Sequence, residues 1–541
     1  MSKVLPLSLL VLLLFVGCNG EPSTEGDTGG FDASDTQDVA PGEDVDSGDD
    51  VGPTDDDDVG PPDDDDVGPT DDADVNQDFP SGVEPLPLGS GPIVWVDNSC
   101  PTNGDGSSED CDAGESGPYN DLHVALADAE AGQTIQIKEG TGSYVTTNLG
   151  DYTPRADGGF HIHPLTDSTD PITIRPAPGH NPILANCAVD DFENYCPNPT
   201  FTAGGARIVF DGLTIQGGIV IRGDVAVTRS RLSKGWEPEG DGNIGTIKVM
   251  MPGGWETANV GPFRNNYFHD LHGLETSAFT AAWIYIFHSR NIVVEYNTFE
   301  GFEYSGGQGA LLDKHSHSEN LVFRYNLIID GKGGAFGNQA DFRSYGNVIH
   351  CGVQGRAAME IANADQFHNT VVDCSSALYV TREDERYPER QGTRDGELYN
   401  NIFDTIHDAN LRRWEPTGEE PEYFTGLEHI DFNAYTPDRY FWWLHNHYGI
   451  SWQEWQEGIA ADFDFDQNSD ELICEFLDAA AHDYRLQPGS ACTTFGREGG
   501  VDSGEPVELG AFAVTDCVGH QCYPGASYIP YDPSWRTGSA W

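Results

Sequence analysis

FRNNYF at 263–268, VEYNTF at 294–299 and FRYNLI at 323–328 state one phrase three times: an apolar residue, two mostly polar ones, Asn, any residue, then an apolar one. SYGNVI at 344–349, FHNTVV at 367–372 and YNNIF at 399–403 continue it. The asparagines, Asn266, Asn297, Asn326, Asn347, Asn369 and Asn401, are spaced 31, 29, 21, 22 and 32 residues apart. A basic step of 21–22 residues, lengthened where loops intrude, predicts a solenoid. Each unit is too small to bury an apolar face alone and buries it by stacking on its neighbours. Such a molecule offers a long grooved surface, which suits extended ligands.

Towards the N-terminus, ITIRP at 172–176 and ARIVFDGLTIQGGIVIRGDVAVTRSRL at 206–232 read as short alternating strands parted by Gly and Asp turns. Leu122, Ala125, Leu126 and Ala129 recur at helical spacing before Gly132 and the strand-like Thr134–Ile137. That predicts a short helix capping the open apolar end of the first coil.

Residues 1–17 hold Lys3, an apolar run from Leu5 to Val16 and Gly17, followed by Cys18. The run is too short to span a bilayer and reads as an export signal. Phe15-Val16-Gly17-Cys18 resembles a bacterial lipobox, which implies lipidation at Cys18 and anchoring in the outer membrane or at the cell surface. Residues 18–84 form an Asp/Gly/Pro-rich linker in which DVGPTDDD, DVGPPDDD and DVGPTDDA recur every eight residues. It has too little apolar surface to fold and its charges extend it. The folded body is expected over 85–541, with an aromatic-rich insertion around 405–470.

The net charge is −63, of which −41 belongs to the chain from residue 81 onward. That surface repels nucleic acid and gives no pull towards anionic membranes, so membrane contact is expected through the lipid alone. Divalent cations such as calcium are compatible with it; no metal site is defined by spacing. In an exported chain the ten cysteines after Cys18 read as disulfides in local pairs: Cys100/Cys111, Cys187/Cys196, Cys351/Cys374, Cys474/Cys492 and Cys517/Cys522. A monomer is expected.

WVDNSC at 95–100, LHVALADAEAGQTIQIKEG at 122–140, DGLTIQGG at 211–218 and the YNTF and YNLI repeats resemble right-handed parallel β-helix proteins of the pectate-lyase-like superfamily. GISWQEWQEGIAADFDFDQNS at 449–469, HDYRLQPGSAC at 482–492 and ELGAF at 508–512 resemble the closing segment of bacterial members. The resemblance covers residues 93–513 and implies an all-β, right-handed parallel β-helix. That superfamily hosts lyases, hydrolases, epimerases, adhesins and non-enzymes, so chemistry must be argued from the site.

Nine positions before four successive repeat asparagines stand His288, His317, Asn338 and Glu360, and Arg382 follows Glu360 by 22. With parallel strands about 4.8 Å apart, these would form a polar column. Flanking Met359 and Ile361 turn Glu360 outward. The column reads either as a carbohydrate-contacting face or as a structural polar stack. LLDKHSHSENLVFRYN at 311–326 gathers Asp313, Lys314, His315 and His317, and resembles the lysine-containing coil of alginate and chondroitin-type lyases.

That resemblance implies Lys314 as the base, and an arginine from a neighbouring coil, in β-elimination from a uronate whose carboxylate is neutralised. Arg343 and Arg356 are the nearest candidates. The phase that turns His317 and Glu360 outward turns Lys314 inward unless a bulge intervenes. The expected catalytic set is Lys314, His317, Arg343 and Glu360, with His288, Asn338, Arg382, Trp442 and Trp443 contacting substrate. Asp341, Glu360, Asp365 and Asp373 supply carboxylates for a glycoside hydrolase. In YFWWLHNHYGISWQEWQ at 440–456, Trp442 and Trp443 suit sugar stacking, whereas Trp452 and Trp455 have helix-packing spacing. The expected function is therefore a uronate-type polysaccharide lyase. A non-catalytic carbohydrate-binding or adhesive protein is the alternative, and a glycoside hydrolase the third reading.

Overall fold

A computed structural model describes most of residues 86–511. Residues 1–85 and 512–541 lie outside the description, as do loop segments that include 146–159, 186–199, 234–242, 251–260, 272–279, 314–318, 338–341, 381–395 and 414–426. The chain divides into units Met1–Ala73 and Asp74–Trp541, and the described residues all belong to the second.

All but four of the described strands stack into four all-parallel sheets; the rest form two antiparallel pairs, Phe476–Asp478 with Asp483–Leu486 and Gly496–Arg497 with Pro506–Val507. The first has 12 strands, from Ile93–Val96 to Leu427–Asp431. The second also has 12, from Tyr144–Val145 to Asp470–Glu471. The third has seven, from Phe160–Ile162 to Ala335–Gly337, and the fourth has four, from Ala357–Ile361 to Tyr440–Leu444. Each coil visits the first sheet, then the second, then the third or fourth. One coil runs Arg290–Glu295, Thr298–Phe302, Gly307–Asp313, and the next begins at Glu319–Arg324. The chain is a right-handed parallel β-helix, the hand that parallel crossovers adopt.

The repeated asparagine makes the corner between the first and second sheets. The residue before it is left-handed: φ is +56° at Asn265 and Tyr296, +57° at Tyr325, +65° at Gly346, +52° at His368 and +57° at Asn400. The Asn then turns inward and is buried. The Asn297 side-chain amide donates to Asn326 Oδ1 at 3.0 Å and to the Phe263 carbonyl at 2.8 Å, while its own Oδ1 accepts from the Asn266 backbone N–H at 2.9 Å. The pattern recurs through Asn326, Asn347, Asn369 and Asn401 to Asn433, and ends where the Asn433 N–H donates to Ser469 Oγ. Asn433, in DFNAY, is a further member that departs from the repeated phrase. Each corner leaves peptide groups that no strand pairs, and one primary amide per coil satisfies them.

Inside, apolar side chains stack by register. Phe263, Val294 and Phe323 form one buried row of the first sheet. Phe268, Phe299, Ile328, Ile349, Val371 and Phe403 form a row of the second, with the first two rings stacked at 4.6 Å. Each such side chain contributes about 1.5–3 kcal/mol on burial. Helix α1 (Leu122–Ala127) is capped by Asp121 and buries Leu122, Ala125 and Leu126, the face expected from its spacing. At the other end, α2 (Trp452–Glu457) opens with a capping box of Ser451 and Glu454 and is followed by α3 (Ile459–Phe463). Trp455 and Ala460 join the core there.

Three of the expected disulfides are present among the described residues: Cys100–Cys111, Cys351–Cys374 and Cys474–Cys492. Cys18, Cys187, Cys196, Cys517 and Cys522 lie outside them.

Candidate functional site

Of the expected site residues, His288, Lys314, His317, Asn338 and Arg382 lie outside the described residues. The strands beside them fix the register up to their edges. Ile286 stands in register with Asp313, and Asp313 with Gly337. In the sequence, His288, His317 and Asn338 follow those positions by two, four and one residues. Counting back from the asparagines crosses the connection into the first sheet, which spans residues 288–289 in one coil, 314–318 in the next and 338–341 in the third. Unequal connections slide the count. Glu360 lies in the fourth sheet instead.

The expected catalytic grouping is also divided. Arg343 is half-exposed on the first sheet, in register with Asp365 and 3.7 Å from its carboxylate, so it stands on a different face from Glu360. Asp313 shares the rung of buried Ile286, and Lys314 follows it directly.

Register brings a different set together. In the fourth sheet Glu360 pairs with Tyr379, Tyr379 with Arg412 and Arg412 with Trp443. Four consecutive coils thus place an acidic, a phenolic, a basic and an indole residue in one row, with rungs about 4.8 Å apart. The adjacent row, Met359, Leu378, Leu411 and Trp442, has its first three members buried in the core. Trp442 and Trp443 therefore belong to different rows. Tyr379 and Arg412 carry no sequence signal of their own, because the repeat phrase lies on another sheet and the connections before them vary.

Two ionisable clusters occupy the outer faces of the other sheets. On the first, the fully buried Glu295 carboxylate accepts from Arg264 and, at 2.8 Å, from Arg324 Nε, while Arg324 donates to Tyr345 Oη at 2.7 Å. Burial opposes the Arg324 charge, but Tyr345 and Glu295 outweigh it and hold the guanidinium above its ordinary range. On the second, His350 lies between Asp330 and Asp373, and His407 Nε2 is 2.6 Å from Asp373. Burial raises the neighbouring Asp404 carboxyl. On the third sheet, Lys248 is 1% exposed, with its ammonium 5.9 Å from the Tyr285 ring centre. The first cluster is built as a structural network. The second keeps partly exposed groups.

Among the described residues, the compact group of potential metal ligands is Asp97, Cys100 and Cys111. Its two cysteines are bonded to each other, so it offers no thiolate.

No protein-family model matches the chain, and no curated protein sequence matches it. Solved structures do. A pectate lyase, Pel9A, superposes at 14% identity over 82% of this chain and 100% of its own, with a TM-score of 0.36. A lacto-N-biosidase from Eubacterium ramulus does so at 11% identity over 65% and 68%, with a TM-score of 0.32. A rhamnogalacturonan lyase does so at 11% identity over 74% and 96%, with a TM-score of 0.31. Likeness at this level concerns the fold and leaves the chemistry to this chain's own residues.

Proposed function

We propose that this chain engages an extended acidic polysaccharide laid across successive coils of the fourth sheet, and cleaves it by β-elimination at a uronate. The observation that carries the reading is the row Glu360, Tyr379, Arg412 and Trp443, one rung per coil. A polymer has repeating carboxylates and ring faces, and this row answers with one cationic position, Arg412, between the aromatic positions Tyr379 and Trp443. Lys314 and His317 follow the third-sheet strand Gly307–Asp313 and supply the proton-abstracting group, helped by calcium or a cation that neutralises the uronate. The chain is read as exported and anchored through Cys18.

Incubation of the chain with alginate, pectate and glycosaminoglycans, with and without calcium, should yield products bearing the ultraviolet absorbance of an unsaturated uronate. Absence of such products from every acidic glycan would remove the lyase reading. A binding protein without catalysis is the second reading, favoured by the placement of Arg343 and Glu360 on different faces. It predicts glycan binding that survives Lys314→Ala and His317→Ala with no product formed.

A further inference from the structure

Before the chain enters its first strand, Ile93–Val96, it crosses the outer face of the first sheet as a strap. The Gly91 N–H donates to the Gly132 carbonyl at 2.8 Å, the Gly89 N–H donates to Thr173 Oγ1 at 2.7 Å, and Leu86 is buried against Val209 and Ala226. Thr173, Val209 and Ala226 are successive members of one row, while Ile174, Phe210 and Val227 beside them face the core. From Gly91 back to Leu86, the strap therefore advances coil by coil along that row.

The row continues past Leu86. The pairings of Val227 with Phe263 and of Phe263 with Val294 carry it through Pro262 to Val293, and from there it runs to Val322 and Arg343. Val293 and Val322 point away from the core, which takes Val294 and Phe323, yet they are only 1% and 6% exposed. With Tyr345 they form a separate apolar cluster, flanked by Tyr325 and Phe367. Every member of that cluster belongs to the first sheet or its corner, whereas the Val209–Ala226 cluster takes Leu86 from the strap.

The chain just before Leu86 matches this continuation in spacing, polarity and charge. It reads DVNQDFPSGVEP over 74–85 and belongs to the unit that holds the coils. Pro80, Pro85 and Pro87 favour polyproline II, which rises about 3.1 Å per residue and whose turn of about three residues brings Val83 and Pro80 to the side of Leu86. Against rungs about 4.8 Å apart, Val83 falls about two rungs beyond Leu86, beside Val293, and Pro80 and Phe79 about four, beside Val322 and Tyr345. Residues 74–85 carry Asp74, Asp78 and Glu84 and no Lys or Arg, and on this face the Arg264 and Arg343 side chains are 33% and 48% exposed.

We propose that residues 79–85 extend the strap over Val293, Val322 and Tyr345, so that the acidic linker leaves the coils from the first sheet. The contact is independent of the glycan reading, whose row lies on the fourth sheet.

Photo-crosslinking of the full chain tests it. A benzophenone side chain in place of Phe79 should join peptides that carry Val322, Tyr345 or Phe367 about tenfold more often than peptides of the other three sheets, the scale of one buried apolar side chain. The same probe in place of Val59, in the repeated acidic stretch, should show no such preference. Cleavage before Asp78 by an Asp-directed protease should be slower in the full chain than in a free peptide of residues 70–85, and Val83→Ser should speed it by about tenfold. These substitutions lie outside the coils and leave their packing intact. Crosslinks spread over several sheets, crosslinks to a second copy of the chain, or none from position 79 would each overturn the proposal. So would cleavage as fast as in the free peptide, or a rate that Val83→Ser does not change.

Discussion

At the residue scale, the asparagine ladder explains why one residue type recurs where the apolar positions around it vary. A buried amide that donates up the stack and accepts from below has no apolar substitute. Asn326→Ala should lower stability by about 1–3 kcal/mol, because it strands the Asn297 N–H and the Val294 carbonyl of the preceding coil. Urea unfolding measures this; a loss within error would show that the amides are not needed at the corner. Gly346 is required for a separate reason. Its φ of +65° is left-handed, and a Cβ there would run into the Tyr325 ring. Gly346→Ala should therefore destabilise, and Tyr325→Ala in the same chain should recover part of the loss. The asparagines were legible from sequence because their neighbours are regular. Asn433 was not, because its preceding Phe432 breaks the polar pattern while still adopting φ +54°.

At the element scale, two buried groups give opposite pH dependence. Asp466, under α2 and α3, accepts from Tyr435 Oη at 3.0 Å and Trp455 Nε1 at 2.9 Å, and burial raises its carboxyl to about 7. A carboxyl raised in the folded state costs stability as pH climbs from its unfolded value towards 7, on the order of 4 kcal/mol at full effect. His368 is lowered to about 4 by burial, so its contribution is present above the unfolded value near 6.5 and is lost as pH falls towards 4. Thermal melts from pH 4 to pH 8 should show Asp466→Asn losing the decline on the alkaline side and His368→Gln losing the decline on the acid side. Identical slopes in wild type and variants would contradict these assignments. The Cys351–Cys374 staple joins neighbouring coils across 23 residues, and replacing both cysteines by Ala should cost about 3 kcal/mol.

Strand and helix positions followed from local periodicity, so α1, the packing of Trp455 and the spacing of the staple were visible in the sequence. The rows of the third and fourth sheets were not. Their strands are separated from the regular corner by connections of changing length, and a count anchored on the asparagines drifts by one to four residues there. That drift hid the row of Glu360, Tyr379, Arg412 and Trp443.

At the scale of the whole coil stack, neighbours contact neighbours and stability is a sum of local terms. A ligand that spans several rungs gains from each, whereas one confined to a single coil does not. The decisive experiment for the proposed glycan-binding row is binding of acidic oligosaccharides of increasing length to the full chain. Affinity should climb with each added sugar until the four-coil row is covered, and Arg412→Gln and Trp443→Ala should each weaken the longest oligosaccharide by about tenfold or more. Affinity that does not depend on length, or that ignores both substitutions, would show that the row is no glycan-binding face.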